Sequence, residues 1–357
     1  MDYKGRQRRL LKAMEAKGLD ALLVTHLPNV RYLCGFSGSA GVLLAEARPV
    51  FFTDGRYRTQ ALQEATGARV VTAKGPALQA AAELAVKHGA RRIGFEAEHV
   101  TVAARRQLAR AIRRPRSLVE AGGLAEDLRS VKDAAEVECI RAAVNLGARL
   151  LPGVLRSLRP GAAESAVAAR LEYRARRAGA QGMAFESIIA GGARSALPHA
   201  VASPEPLPQS GFVVLDYGVI LTGYCSDMTR TVHLGRANGE RRGLYRAVLD
   251  AQLAAIAAVL PGATAGEVDE AARRELRRTR LAKHFTHSTG HGVGLEIHEL
   301  PRIASGQAVV LRPGMVITIE PGVYLPGQGG VRIEDMVLVT EHGYEVLTPA
   351  GKEFLEI

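Results

Sequence analysis

Along roughly the first 126 residues, short apolar runs alternate with stretches whose apolar positions recur every three or four residues. The runs Ala21–Thr25, Gly41–Ala45, Val50–Thr53, Arg69–Thr72 and Arg92–Phe95 predict strands. The periodic stretches Arg6–Lys17, Tyr57–Thr66, Ala77–His88 and Val102–Arg113 predict helices. Such alternation predicts a layered α/β domain. A boundary is expected at Leu124–Asp127, giving domains 1–126 and 127–357. Beyond it, Ser130-Val-Lys-Asp133 has the spacing of a capping box, and Val137, Ile140 and Val144 continue at helical spacing. Further helices are expected over Ala163–Ala178, Leu244–Leu260 and Ala265–Arg278, and the rest of the second domain reads mostly as strands. No internal repeat is evident.

Two of those strands end on carboxylates that their pattern does not call for. Asp216 follows Phe212-Val-Val-Leu215, and Glu320 follows Met315-Val-Ile-Thr-Ile319. Acidic residues are depleted in apolar strands, so their placement there needs a reason. Each has an acidic counterpart across a turn. Asp216 and Asp227 are symmetric about Leu221–Thr222, and Glu320 and Glu334 about Gly327. If each segment folds back about its midpoint, each pair lies directly across an antiparallel ladder, with Cα atoms about 4.5–5.5 Å apart. Four clustered carboxylates repel one another or stay protonated, and two divalent cations would balance them.

Composition narrows the classes without adding a site. The chain has 357 residues, 47% apolar and 23% charged, enough for two domains with ordinary cores. No apolar run reaches the length of a membrane span. The opening MDYKGRQRRLLKAMEAKG is charged with no apolar stretch behind it, so no secretory signal is expected. Three scattered cysteines give no disulfide framework, and a reducing, cytoplasmic setting is expected. The net charge of +11 is spread along the chain. Its densest runs, Arg105–Arg116 and Arg273–Arg280, are interleaved with apolar residues and read as solvated helix faces, so neither nucleic acid nor membrane is an expected partner.

The fifth ligand candidate is His291, within His287-Ser-Thr-Gly-His291-Gly-Val-Gly. An imidazole beside four carboxylates points to manganese, cobalt, iron or zinc rather than to a pure magnesium or calcium site. In strand parity, Arg332 shares a face with Glu334, Thr318 with Glu320, and Val214 with Asp216.

These stretches, together with Pro198-His199-Ala200, Asp216-Tyr-Gly, Gly223-Tyr-Cys-Ser-Asp227-Met-Thr-Arg-Thr231, Ile297-His298-Glu299, Glu320-Pro-Gly-Val-Tyr324 and Gly330-Val-Arg-Ile-Glu334-Asp335, resemble the pita-bread metallopeptidases. The likeness is to the Xaa-Pro dipeptidase (prolidase) and aminopeptidase P branch, and it covers most of residues 185–340 in order. Arg31-Tyr-Leu-Cys-Gly-Phe-Ser-Gly-Ser and Thr53-Asp-Gly-Arg-Tyr carry a weaker likeness in the first domain. The resemblance implies a creatinase-like α/β N-terminal domain, a mixed sheet with helices, followed by an α+β pita-bread catalytic domain. It implies two divalent ions per subunit, manganese foremost, on Asp216, Asp227, His291, Glu320 and Glu334. Asp227 and Glu334 would bridge the ions, and Thr229 would stand behind them. His199 and His298 match active-site histidines, His287 one nearer the substrate, and Arg332 an arginine beside the bridging glutamate. A homodimer is implied too, with Phe36–Ser39 near the neighbouring cleft.

The expected reaction is hydrolysis of an Xaa-Pro bond in a peptide through a metal-bridging hydroxide. Glu320 would move the water proton to the leaving nitrogen, and His199 or His298 would hydrogen-bond the oxyanion. Arg332 would either contact a substrate carboxylate or orient Glu334. Dipeptidase, aminopeptidase and carboxypeptidase preferences stay open. A metal-free amidinohydrolase or a non-catalytic peptide- or nucleic-acid-binding module would lack the complete ligand set. A methionine aminopeptidase would lack so large a first domain.

Overall fold

The computed structural model describes residues 1–112 and 118–357, which divide into two compact units, Met1–Arg129 and Ser130–Ile357. The expected helix end at Arg113, and the part of the Arg105–Arg116 run beyond Ile112, lie outside the described residues.

The first unit is an α/β layer. Its strands are β1 (Ala21–Val24), β2 (Val42–Ala45), β3 (Val50–Thr53), β4 (Arg69–Thr72), β5 (Ile93–Phe95) and β6 (Leu118–Glu120). They form one sheet in the order β4-β3-β2-β1-β5-β6. The pairs β1/β2 and β2/β3 are antiparallel, and the other three are parallel, so the sheet is mixed. Its helices are α1 (Tyr3–Ala16), α2 (Leu27–Cys34), α3 (Arg58–Glu64), α4 (Ala77–Lys87), α5 (Val102–Ile112) and α6 (Leu124–Ser130). In α5, Leu108 and Ile112 are buried while Arg105, Arg106 and Arg110 face water, so the arginine run is a solvated face as its spacing predicts.

The second unit opens on α7 (Ala134–Leu155), and the cap differs from the expected one. Asp133 accepts from Glu136 N–H while Glu136 reaches back to Asp133 N–H. Ser130 ends α6 instead. Val131 and Lys132 are held extended by Met315 and by the Gly314 carbonyl, so the helix starts one turn later than Ser130-Val-Lys-Asp133 suggests. Then come α8 (Glu164–Arg177), β7 (Gly182–Met183), β8 (Ile188–Gly191), β9 (Gly211–Tyr217), β10 (Val219–Leu221), β11 (Tyr224–Cys225) and β12 (Met228–Leu234). The remainder is α9 (Gly239–Ala257), α10 (Ala265–Arg278), β13 (Gly290–Gly292), β14 (Glu299–Ile303), β15 (Val316–Ile319), β16 (Gly322–Leu325), β17 (Gly329–Arg332), β18 (Asp335–Val339) and β19 (Tyr344–Val346).

The unit repeats one arrangement twice, although the sequence shows no repeat. Helices α7 and α8 cover the sheet β12-β9-β8, with Leu146, Val154, Leu171, Val213, Leu215 and Val232 in the shared core. Helices α9 and α10 cover β14-β13-β15-β18-β19, with Val248, Leu276, Ile317 and Val337 in theirs. Each such buried aliphatic side chain contributes about 1.5–3 kcal/mol. Each half also supplies one acidic hairpin.

The two hairpins register differently. Both β15/β18 and β16/β17 are symmetric about Gly327, so Glu320 and Glu334 fall opposite one another between the two ladders, as expected. In β9/β12, however, Asp216 pairs with Thr229 rather than Asp227. The turn is the cause. Leu221 pairs with Tyr224 across the two residues Thr222 and Gly223, both at positive φ (53° and 83°). A tight turn of that hand needs both central residues there and favours glycine at the second. The midpoint therefore includes Gly223 instead of preceding it, and Asp227 lies diagonal to Asp216.

Candidate metal centre

All five expected ligands sit at strand ends in the second unit. Asp216 lies near the end of β9, Asp227 just before β12, His291 in β13, Glu320 just after β15, and Glu334 between β17 and β18. Asp227, His291 and Glu334 form one group, each offering a ligand atom within 4.8 Å of the others. His291 Nε2 lies 3.7 Å from Asp227 Oδ2 and 3.4 Å from Glu320 Oε1. Asp216 is tied in through Arg332, whose Nη2 donates to its Oδ2 at 2.5 Å.

The backbone around His291 is built for close approach. A Cβ on Gly290 would fall 1.8 Å from the Thr318 carbonyl oxygen, so only glycine lets β13 press against that strand. The ring is then oriented locally, with Nδ1 3.0 Å from the Gly292 carbonyl. That contact places the proton on Nδ1 and leaves the Nε2 lone pair facing the carboxylates. Burial, with His298 nearby, lowers the His291 pKa to about 4, so the ring is a neutral donor.

Two threonines orient the glutamates. Thr229 donates to Glu334 Oε2 at 2.7 Å, and Thr318 donates to Glu320 Oε1 at 3.3 Å. Thr229 also accepts from Arg332 Nε, so the arginine reaches Glu334 through that hydroxyl. Arg332 Nη1 is taken by the Pro198 carbonyl and by the Tyr324 hydroxyl. The guanidinium is buried at 3% exposure and committed to internal partners.

The electrostatics call for cations. Burial, then Asp216 and Glu320, hold the Asp227 carboxyl well above its ordinary range. Burial, then Asp227, Glu320 and Asp216, do the same to Glu334. Glu320 is pushed up to about 8 by burial and Asp216, with Arg332 pulling the other way. Asp216 Oδ1, Asp227 Oδ1 and Glu334 Oε1 are buried without a hydrogen-bond partner. Each such atom costs about 1–3 kcal/mol if left unsatisfied. Carboxylate oxygens together with one imidazole are a donor set for first-row divalent ions, so the residues fit a metal.

The remaining candidates surround this group. His298 meets His291 edge to face with ring centroids 4.4 Å apart, and its pKa is lowered by burial and by His199. His199 is exposed and lines an open cleft of about 710 Å³ with Arg194, Leu197, Pro198 and Val201. His287 hydrogen-bonds Tyr324 through Nε2 at 2.8 Å, and burial with Arg332 lowers its pKa to about 4.

Tyr324 stands inside the Glu320-Pro-Gly-Val-Tyr324 motif with no role legible from sequence, yet its hydroxyl joins His287 to Arg332. Glu164, in the first turn of α8, is a second residue whose role only the fold reveals. That carboxylate, 1% exposed, accepts from Gly191 N–H, from Arg194 Nε, and from the N–H and hydroxyl of Ser203. Arg194 in turn donates to the Val201 carbonyl. Together they pin both ends of the His199 loop. An acidic residue in the first turn of an apolar-faced helix was the only available signal, and it is a common one.

Comparison with known proteins follows the same division. Residues 138–341 match metallopeptidase family M24, and residues 6–131 match the creatinase/prolidase N-terminal domain. An uncharacterized peptidase of Bacillus subtilis, YqhT, is 37% identical over 95% of this chain and 96% of its own length. The solved structure of an Xaa-Pro dipeptidase from Bacillus anthracis is similar with a TM-score of 0.97 and 38% identity, covering 100% of both chains. That of an X-Pro aminopeptidase from Thermotoga maritima is similar with a TM-score of 0.90 and 33% identity, over 99% of this chain and 100% of the other.

Proposed function

The chain belongs to metallopeptidase family M24, with the creatinase/prolidase domain ahead of the catalytic one, and from that premise we propose that it is a dinuclear-metal exopeptidase cleaving the bond before proline in short peptides. A metal-dependent peptidase is what the family establishes. The proline preference, the second ion and the residue roles are the proposal. The observation that carries it is the convergence of four carboxylates and one neutral imidazole, with three buried oxygens left unpartnered.

Asp216, Asp227, His291, Glu320 and Glu334 would hold the ions. When bound, divalent ions supply Lewis acidity toward the scissile carbonyl and make water acidic enough to ionise near neutral pH. The chain's own groups then do the rest. Glu320, oriented by Thr318, is the proton carrier, taking a proton from water and delivering it to the leaving nitrogen. A proline nitrogen has no N–H of its own and leaves only when protonated, so that delivery matters more here than for an ordinary peptide bond. His298 and His199 donate hydrogen bonds to the oxygen that gains charge. Arg332 is occupied by Asp216, Tyr324, Thr229 and the Pro198 carbonyl, which favours its orienting role over contact with a substrate carboxylate.

The reading includes manganese as the first ion to test, a homodimer, and a cytoplasmic setting that keeps the three free cysteines reduced. Among the described residues, no helix is long and apolar enough to cross a membrane. Manganese-loaded protein should be assayed on Ala-Pro, Ala-Pro-Ala and a longer peptide with proline second. Cleavage of Ala-Pro foremost is expected, and cleavage of the longer peptides alone would turn the reading to an aminopeptidase. Glu320→Gln should lower turnover by about 10²–10⁴-fold. Loss of none of the three peptides, or near-normal rates in both Glu320→Gln and Asp227→Asn with metal supplied, would end the assignment.

A further inference from the structure

The strands that carry Thr229 and Glu334 toward the metal centre turn Arg230 and Asp335 to the opposite face, because neighbouring strand residues alternate sides. That rear face is a closed ionic cluster. Arg230 Nη1 donates to the backbone carbonyls of Thr229 at 2.8 Å and Glu334 at 2.6 Å. Its Nη2 donates to Asp335 Oδ1 and to the Ala350 carbonyl, and its Nε to the Gly351 carbonyl. A guanidinium has five N–H groups, and all five are used. The other Asp335 oxygen accepts from Lys352 Nζ at 2.6 Å and from Gln252 Nε2 at 2.9 Å, and Lys352 also donates to Gln252 Oε1. Arg230, Asp335 and Gln252 are 3%, 1% and 0% exposed.

Three of the cluster's eight groups come from the segment after β19. Residues 350–352 supply two carbonyls and the lysine, and the chain beyond them is laid along β12. His233 N–H donates to the Leu355 carbonyl, Ile357 N–H to the His233 carbonyl, and Gly235 N–H to the Ile357 carbonyl. The Lys352 carbonyl is itself held by the Tyr245 hydroxyl on α9.

We propose that Lys352, Asp335 and Arg230 are positioning residues for the metal centre, fixing the backbones of Glu334 and Thr229 from behind so that both side chains meet the ions in one geometry. The physical reason is rigidity. Metal affinity depends on ligands already standing where the ions require them, and groups one step removed from a metal commonly control its affinity by about 10–100-fold. Without Lys352, Asp335 loses one of the three side chains that fix it, Arg230 loses a fixed partner, and the two carbonyls that Arg230 clamps are free to shift. The inference rests on the reading of the site as a metal centre.

The test is manganese binding alone, without peptide, by calorimetry and by the electron paramagnetic resonance of the bound ion. Lys352→Met should weaken manganese binding by about tenfold or more and broaden the spectrum, while Lys352→Arg restores both. A control, Leu171→Ala in the α7/α8 core, should lower the melting temperature while leaving affinity unchanged. Wild-type affinity in Lys352→Met, or an equal loss in the control at matched destabilisation, would overturn the proposal. Should Lys352→Met fail to fold, Gln252→Met removes the second partner of the same Asp335 oxygen and is read the same way. A wild-type protein that binds no divalent ion would instead sink the metal reading itself, before any variant is compared.

Discussion

The two acidic hairpins look alike in the sequence and differ in the fold. Glu320 and Glu334 oppose each other between two ladders that share a centre at Gly327, and each is oriented by a threonine. Asp216 and Asp227 are offset diagonally by the Thr222–Gly223 turn, and Asp216 is the one member of the four that is neutralised directly, by Arg332. The lesson concerns turn chemistry. A symmetric spacing of acids suggests a register, but the residues that can adopt positive φ decide it. The offset matters, because the Arg332 that balances the first hairpin sits on the second, so the halves are joined by a charge pair as well as by any shared ion.

The strongest challenge to this picture is to remove one carboxylate from each hairpin. Asp227→Asn and Glu334→Gln should each fail to hold two divalent ions by elemental analysis and fall to background turnover. A large difference between them would mean that one hairpin holds the metal without the other. Next in size is Arg332→Met, which strips Asp216 of its partner and should destabilise metal-free protein by about 3–5 kcal/mol. Manganese should recover much of that loss, because cations replace the guanidinium. Equal destabilisation with and without metal would show that Arg332 serves packing instead. Glu164→Gln should loosen the His199 loop at a cost of about 1.5–3 kcal/mol in its charged hydrogen bonds, read as a raised KM with metal stoichiometry intact.

A pH series tests the shared charge. Carboxyls raised in the folded, metal-free protein bind more protons than in the unfolded chain, so their contribution to stability is lost as pH rises through the folded values. The lowered imidazoles act in the opposite direction, but only below about 6.5, the ordinary histidine value. Melting of metal-free protein should therefore decline between pH 6.5 and about 8, the value to which Glu320 is pushed, and manganese should flatten that decline. The smallest effect belongs to the turn that sets the offset. Thr222→Asn should stabilise by about 0.5–1 kcal/mol, since asparagine tolerates the left-handed region better than threonine.

What the sequence made legible follows from local physics. Acids inside apolar strands stood out because strands exclude them, and the long helices announced themselves by period. The α2 helix did not, being eight residues with a proline in its first turn and no side-chain cap. Strand β6 has three residues, and α6 lies across the stretch where only a domain boundary was expected. The partner of Arg332 was illegible for another reason. Parity pointed to Glu334 two residues away, whereas the bond goes to Asp216, separated by 116 positions. Tyr324 and Glu164 likewise gain their meaning only from residues that the fold brings to them.

The pinning of residues 191–203 by Glu164 has an evolutionary corollary. Between the anchors, Leu197 and Val201 are about half exposed and make no demand on the core. On the proposed role of His199, changes confined to those two exposed positions would retune which peptides are accepted, while the anchoring carboxylate and the buried Ser195, Ala196 and Ala200 hold the loop in place.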